Sequence, residues 1–369
     1  MTLAAYFEQL KTKDIVCWGS GKRFRSSTLR FLQKSGLLDR LRGFVDIPGT
    51  KRSLPDGESM PLLPKERIAQ MDRERTVILI AVSGYDEVLA QLRADAALSA
   101  FEAIPSMYPE FLYEDLQLLT AEKPPLHYHK HDAPVIPKVI HAIWFSGDPL
   151  PDLYRKCLDS WKRYAPDFEI RIWDLNSYRP EGCLFFDQAI ADGNWAFASD
   201  YARADILRRY GGVYMDLDVE MLRPIDDLLY NDAYMGFESM DRIECGSGMG
   251  AAPGHPVLQE ICESYERRPY RKEDGSWDTS TCPVRYTQII EKHGLRKNGS
   301  FQSVEDITIY PFETLTCKSF DTGVIYRTEH SYTVHHHNGS WIPHPARQAV
   351  LERYEEIRKF LEERDIQPE

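Results

Sequence analysis

No apolar run in this 369-residue chain approaches the ~18 residues a bilayer-spanning helix needs; Thr76–Val82 (TVILIAV) is only strand length. The seven cysteines are scattered, without a CxxC pair or zinc-ligand spacing. That excludes a disulfide scaffold and a structural zinc module, and it fits a reducing compartment. No block of basic residues interrupts a net charge of -12, which excludes a general nucleic-acid surface. Nucleophile-elbow GxSxG, Walker and HExxH signatures are all missing. The opening MTLAAYFEQLKTKD lacks the basic start and apolar core of a secretory signal. The expectation is therefore a cytoplasmic protein, with peripheral attachment at the inner face of a membrane left open and an oligomeric state the sequence does not define.

What is present divides into two α/β halves. In the first, Asp14–Trp18 (DIVCW), Leu41–Ile47 and Thr76–Ser83 read as short buried strands, with more strand around Phe101–Ile104. Helical patterns fall at Phe24–Lys34, Lys65–Met71 and Asp86–Leu92, so a small parallel, Rossmann-like domain is expected over 1–120. Residues 121–135 carry Pro124, Pro125 and Pro134, with Pro137 adjoining, and read as a linker. In the second half, 136–369, strands are expected at Lys138–Phe145, Phe168–Trp173 and Met215–Val219, and helices at Tyr154–Tyr164 and Ser199–Tyr210. Ser199 is placed to cap the last helix and Gly211 to close it.

The chemistry concentrates in GGVYMDLDVE, residues 211–220. Read as a strand, Asp216 and Asp218 share one face and Leu217 takes the other. Two hard oxygen ligands at a strand's C-terminal end suit Mg2+ or Mn2+, above all with substrate phosphates completing the shell. Glu220 shares their parity and serves either that site or an outward salt bridge. Asp200 and Arg203 are neighbours on the preceding helix, where they either pair with each other or face a phosphate and sugar hydroxyls.

Trp144, at a strand mouth, is either core or a stacking surface for a base. The run His335-His336-His337-Asn338-Gly339-Ser340-Trp341 places His335 and His337 on one strand face, as a solvated loop or as a contribution to a metal shell. His127, His129 and His131 alternate in the same way but lie in the linker. Gly19 and Gly21 begin a dinucleotide-type turn whose third glycine position holds Phe24, with Asp46 the one acid placed for a ribose.

Four pieces of the second half stand in order: IPKVIHAIWFSG, SWKRYAPDFEIRIWD, ASDYARADILRRYGGVYMDLDVE and HHHNGSW. Together they resemble the DXD-type glycosyltransferase family that contains yeast initiating mannosyltransferases, bacterial capsule and lipopolysaccharide sugar transferases, and the catalytic domains of large clostridial glucosylating toxins. The resemblance implies a GT-A-type nucleotide-sugar-binding core. It also implies retaining transfer of a hexose or N-acetylhexosamine from a nucleotide-diphosphate sugar to a saccharide or lipid-linked glycan acceptor, in bacterial surface polysaccharide synthesis.

Carried onto these residues, Trp144 stacks on the donor base, while Asp200 and Arg203 hold sugar and diphosphate. Asp216 touches the ribose or sugar and the metal region, and Asp218 ligates Mn2+ (or Mg2+). His335 and Asn338 belong to the closing C-terminal segment, with Trp341 over the donor phosphates. Relatives carry tryptophan where His337 stands, and Cys282-Pro283 replaces a Gly-Pro loop. The rival readings are a metal-dependent nucleotidyltransferase or nucleotide-sugar hydrolase, and a Rossmann-type binding or redox protein acting through Gly19 and Gly21.

Overall fold

The structure, a computed structural model, describes residues 1–46, 60–339, 342 and 344–367. It separates into two compact units: Met1–Leu116 with Arg353–Glu369, and Gln117–Glu352. Residues 353–369, taken with the second half in the sequence reading, therefore group with the first unit.

In the first unit the chain order is α1 (Leu3–Leu10), β1 (Asp14–Trp18), α2 (Leu29–Lys34), β2 (Leu41–Val45), α3 (Lys65–Ile68), β3 (Thr76–Ile80), α4 (Tyr85–Ala94), β4 (Glu102–Pro105) and α5 (Met107–Leu119). The strands form one sheet, order β2-β1-β3-β4, with every pairing parallel. Strands covered on both faces have no polar side to show, which is why DIVCW and TVILI are continuous apolar runs. The last turns of the chain complete this unit. Phe360 sets its ring edge-on to Tyr6 and Tyr108, and Glu356 accepts hydrogen bonds from the hydroxyls of Tyr85 and Tyr108.

The second unit runs β5 (Val139–Ile143), α6 (Asp152–Tyr164), β6 (Glu169–Trp173), α7 (Leu184–Ala191), α8 (Trp195–Tyr210), β7 (Gly212–Tyr214), β8 (Val219–Met221), β9 (Ala233–Ser239), β10 (Arg242–Glu244) and β11 (Met249–Ala251). It continues with α9 (Pro256–Glu266), α10 (Cys282–Lys292), β12 (Gln302–Val304), β13 (Ile307–Tyr310), α11 (Phe312–Leu315), β14 (Thr333–His335) and α12 (His344–Glu363), whose end passes into the first unit. The mixed sheet has the order β12-β13-β9-β11-β7-β5-β6, with β10 added on β9. β8 and β14 form a separate antiparallel ribbon.

Two apolar clusters hold this unit. One gathers Phe186, Tyr201, Ile206, Leu258 and Tyr286 from the helices α7 to α10; the other gathers Leu158, Trp161, Met215, Leu228 and Tyr234. The buried Trp161 donates its indole N–H to the carbonyl of Val219 at 2.7 Å, which ties α6 to the backbone just past the paired aspartates.

Two local expectations are corrected. The strand foreseen over Met215–Val219 is not continuous: β7 ends at Tyr214, and Asp216–Val219 is a turn closed by the Val219 N–H on the Asp216 carbonyl at 3.0 Å. The DXD carboxylates are brought together by that turn and not by strand parity. Helix α8 starts at Trp195, so Ser199 lies inside it and donates its hydroxyl to the Ala196 carbonyl at 2.7 Å. Gly211 does close the helix, with φ +65°. An added Cβ there would fall 2.7 Å from Pro253 Cδ, and one on Gly212 (φ +101°) 2.6 Å from the Val139 carbonyl oxygen. Only glycine allows both the left-handed turn and this close passage onto β5.

Candidate active site

Helix α8 is buried almost all round, and alanines at 198, 202 and 204 let neighbouring helices approach it. Charged side chains in such a helix need partners. Asp205 finds them in the Tyr178 hydroxyl and in Arg208 and Arg209, which makes it structural. Asp200 and Arg203 are different. Arg203 pairs with Asp200 at 3.1 Å, and its other terminal nitrogen reaches Asp216 Oδ2 at 3.5 Å. Its guanidinium lies over the Tyr214 ring, 4.8 Å from the centroid, while Ser199 holds it by backbone carbonyl and hydroxyl. The helix ion pair is formed, and Arg203 also reaches the paired aspartates through Asp216.

Burial pushes the Asp200 carboxyl up to about 6, although Arg203 pulls the other way. Cys282, at the start of α10, adds a smaller downward pull on the same carboxyl, and Tyr286 donates to the Asp200 carbonyl at 3.0 Å. The Cys282-Pro283 segment is thus a support for Asp200.

Asp216 is fixed by the Tyr214 hydroxyl at 2.6 Å, and its own N–H donates to the Gly246 carbonyl at 2.8 Å. A Cβ on Gly246 would lie 2.0 Å from Asp216 Oδ2, so no side chain is compatible with this carboxylate position.

Asp218 is buried. The β8–β14 ribbon pairs His335 with Val219, which sets the imidazole beside it: His335 Nε2 is 3.3 Å from Asp218 Oδ1. The Asn338 backbone N–H donates to Asp218 Oδ2 at 2.7 Å. Burial alone would raise the Asp218 pKa, but the His335 charge and these hydrogen bonds hold it well below the usual carboxylate range. On its other side His335 meets Ser247 Oγ at 3.1 Å and Glu244 Oε1 at 3.7 Å. Burial disfavours the imidazolium, yet Asp218 and Glu244 together keep its pKa well above the ordinary value.

His337 leaves the strand at φ +51° and donates Nε2–H to the Lys318 carbonyl at 2.9 Å, its ring 4.2 Å from that of His335. His336 turns to Glu220 at 2.9 Å, and Lys156 reaches the same carboxylate at 3.4 Å, which gives Glu220 an ion-pair role. Asn338 also donates its amide to the Tyr154 hydroxyl at 3.0 Å, and Trp144 sets its ring edge-on to Tyr154 at 5.5 Å. Trp144 is half-buried, with its indole N–H on the Asp148 carbonyl. Trp341 lies outside the described residues.

Asp216, Asp218 and His335 each present one ligand atom, all within 4.8 Å of one another. Two carboxylate oxygens and an imidazole nitrogen form a donor set that fits Mn2+ and, less closely, Mg2+. Glu244, His335 and His337 form a second such group sharing His335.

Glu244, Gly246, Ser247, Tyr214 and the support from Cys282 were not foreseen. Their signal was the glycine-spaced ECGSG run, 244–248, a stretch whose backbone must pass close to something. In the first unit Gly19 has φ +99° and closes against Val82, while Asp46 accepts from the Ser20 N–H at 2.7 Å and from its hydroxyl. The acid placed for a ribose is instead bonded to the glycine turn. His127 and His129 both bond Asp227, at 2.8 and 3.1 Å, as anchors of the linker segment.

Residues 151–235, spanning α6 to the start of β9, match the model of the glycosyltransferase sugar-binding region containing a DXD motif. Asp200, Arg203, Asp216 and Asp218 all fall within the matched residues. Over 148 residues it is 28% identical to inositol phosphoceramide mannosyltransferase 3 of Schizosaccharomyces pombe, covering 38% of this chain and 40% of that protein. A match of 224 residues at 23% identity to the uncharacterized glycosyltransferase L373 of Acanthamoeba polyphaga mimivirus covers 57% of this chain and 85% of the viral one. The chain spans less than half the length of the fission-yeast mannosyltransferases it matches. Among solved structures, the PaToxG glycosyltransferase overlaps 44% of this chain and 72% of its own at 16% identity and a TM-score of 0.34. Within the matched residues, the Asp216–Asp218 turn has the Asp-x-Asp form that the family description names.

Proposed function

We propose that this protein is a retaining glycosyltransferase that moves a hexose or N-acetylhexosamine from a nucleotide-diphosphate sugar to a saccharide or lipid-linked glycan acceptor. The observation that carries the reading is the continuous charge chain Asp200–Arg203–Asp216 set into a family-matched DXD turn. Retention of configuration and a role in surface polysaccharide assembly rest on the family resemblance.

Asp216, Asp218 and His335 would hold Mn2+ or Mg2+. When bound, such an ion supplies positive charge against the departing diphosphate. Arg203 stays protonated under these neighbours and sits at the edge of Asp216, placed to take the same diphosphate. Asp200 accepts hydrogen bonds from sugar hydroxyls, and Trp144 offers a face to the base. Asn338 keeps Asp218 oriented through its backbone N–H. As the anomeric C–O bond breaks, the acceptor oxygen attacks from the face the diphosphate leaves. Its proton passes to a departing phosphate oxygen, so no separate protein base is required.

The test is thermal stabilisation by a panel of UDP- and GDP-sugars with and without Mn2+, followed by transfer assays and NMR of the product's anomeric configuration. A true donor at a hundredfold its Kd should raise Tm by roughly 5 °C. Asp218→Ala should lose the Mn2+-dependent part of that rise. Full Mn2+-dependent stabilisation in Asp218→Ala, or donor cleavage with water as the sole acceptor, defeats the proposal.

A further inference from the structure

The segment between α9 and α10 holds an indole whose exposure the catalytic reading leaves unexplained. Trp277 is 51% exposed, yet it is fixed. Its ring lies parallel to that of the buried Tyr270, at 10° and 6.4 Å between centroids. Beside it Arg271 grips the Asp192 carboxylate, Nε at 2.9 Å. The backbone is pinned as well: Arg271 pairs with Trp277 in an antiparallel bridge, and the Asp278 N–H donates to the Tyr270 carbonyl at 2.7 Å. A tryptophan left this open costs hydrophobic free energy, and a stacked one has also given up rotamer freedom. A rigid aromatic surface half open to water is a preorganised stacking shelf.

The shelf is joined to the site by both of its flanks. Five residues downstream, Cys282 neighbours the Asp200 carboxyl, and the chain limits the separation of Trp277 from Cys282 to about 18 Å. On the other side Tyr270 packs on Phe197, ring centroids 5.5 Å apart, in the first turn of the helix that carries Asp200 and Arg203. That helix itself opens on a half-exposed indole, Trp195, 41% exposed.

We infer that Trp277 stacks on a pyranose ring of the acceptor, one or more sugar units from the residue that receives the new linkage. The axial C–H bonds of a pyranose present a weakly positive, apolar face, the complement of the negative face of an indole. This inference deepens the glycosyltransferase reading and rests on it.

The experiment measures transfer from the stabilising nucleotide sugar to p-nitrophenyl mono- and disaccharides of mannose, glucose, galactose and N-acetylglucosamine. Wild type, Trp277→Ala and Trp277→Phe are compared, and donor hydrolysis by the wild type is followed alongside. Trp277→Ala should raise the KM for a disaccharide acceptor about tenfold, the scale of one lost stacking contact, with kcat at saturating acceptor within about twofold of wild type. Trp277→Phe keeps a ring, and its KM should rise less than about threefold. An unchanged KM in Trp277→Ala, or an equal loss of kcat in both variants, overturns the inference. So does a wild-type enzyme that hydrolyses donor but glycosylates no saccharide in the panel. Absence of any donor binding or hydrolysis in the wild type overturns the glycosyltransferase reading itself, and the inference with it.

Discussion

At the scale of single residues, Asp200 differs from the metal-side acids Asp218 and Glu244 in the direction in which its proton affinity moves. Asp218 and Glu244 also meet a burial cost, but His335 between them lowers both, Glu244 to about 2. Asp200 has one buried cation, already shared with Asp216, and desolvation wins, pushing it from 3.8 up to about 6. A carboxyl that binds its proton more tightly when folded adds stability that is full below the unfolded pKa and lost as pH rises through the folded one. Between about pH 3 and 7 the wild type should therefore lose on the order of 3 kcal/mol that Asp200→Asn does not lose. The opposing contributions of Asp218 and Glu244 are common to both proteins and cancel in the difference. Denaturant unfolding of the two proteins at half-unit pH steps gives the comparison. Parallel curves would show that Asp200 is ionised in the folded state throughout.

Among the elements, the sequence disclosed those whose pattern is forced by burial and hid those set by their partners. DIVCW and TVILI had to be strands because nothing else that short is apolar throughout, and β5, α6 and β6 fell where periodicity put them. Strands β10, β11 and β12 have three residues each, too few to show a period, and exist because longer neighbours offer an edge. The DXD segment was misread as strand because its apolar flank, GVYM, is strand-like up to the residue where the Gly246 carbonyl and the Asp216–Val219 bond turn it.

Gly211 and Gly212 were legible as a helix stop, though the reason that both must be glycine lies in β5 and Pro253, remote in sequence. That gives a contrast between two glycines the sequence singles out. Gly212→Ala forces a Cβ to 2.6 Å from the Val139 carbonyl at φ +101°, and it should cost at least about 2 kcal/mol and weaken donor-induced stabilisation. Gly21→Ala meets nothing within 4 Å and should stay within about 0.5 kcal/mol of wild type. Calorimetry of both variants decides; a neutral Gly212→Ala would mean that β7 does not lie against β5 as described.

For the molecule as a whole, the site joins residues more than a hundred positions apart, and its charge conflicts with that of the chain around it. Asp218 and His335 could be matched from sequence only through a known motif order, since no periodicity links β8 to β14. The buried Arg203 and His335 are the cations beside the DXD turn, within a protein of net charge -12. A nucleotide sugar brings a diphosphate of about two negative charges, so without a divalent ion its approach is opposed by the protein's own field. Salt screens that opposition over a Debye length of ~8 Å at physiological ionic strength. Donor affinity measured by calorimetry without divalent ions should therefore improve, by roughly two- to fivefold, between 20 and 200 mM NaCl. With Mn2+ present the diphosphate's charge is neutralised, and the same change of salt should leave Kd within about twofold. Were salt to weaken metal-free binding instead, the donor would be meeting a net positive surface, and the diphosphate could not be sitting between Arg203 and the paired aspartates.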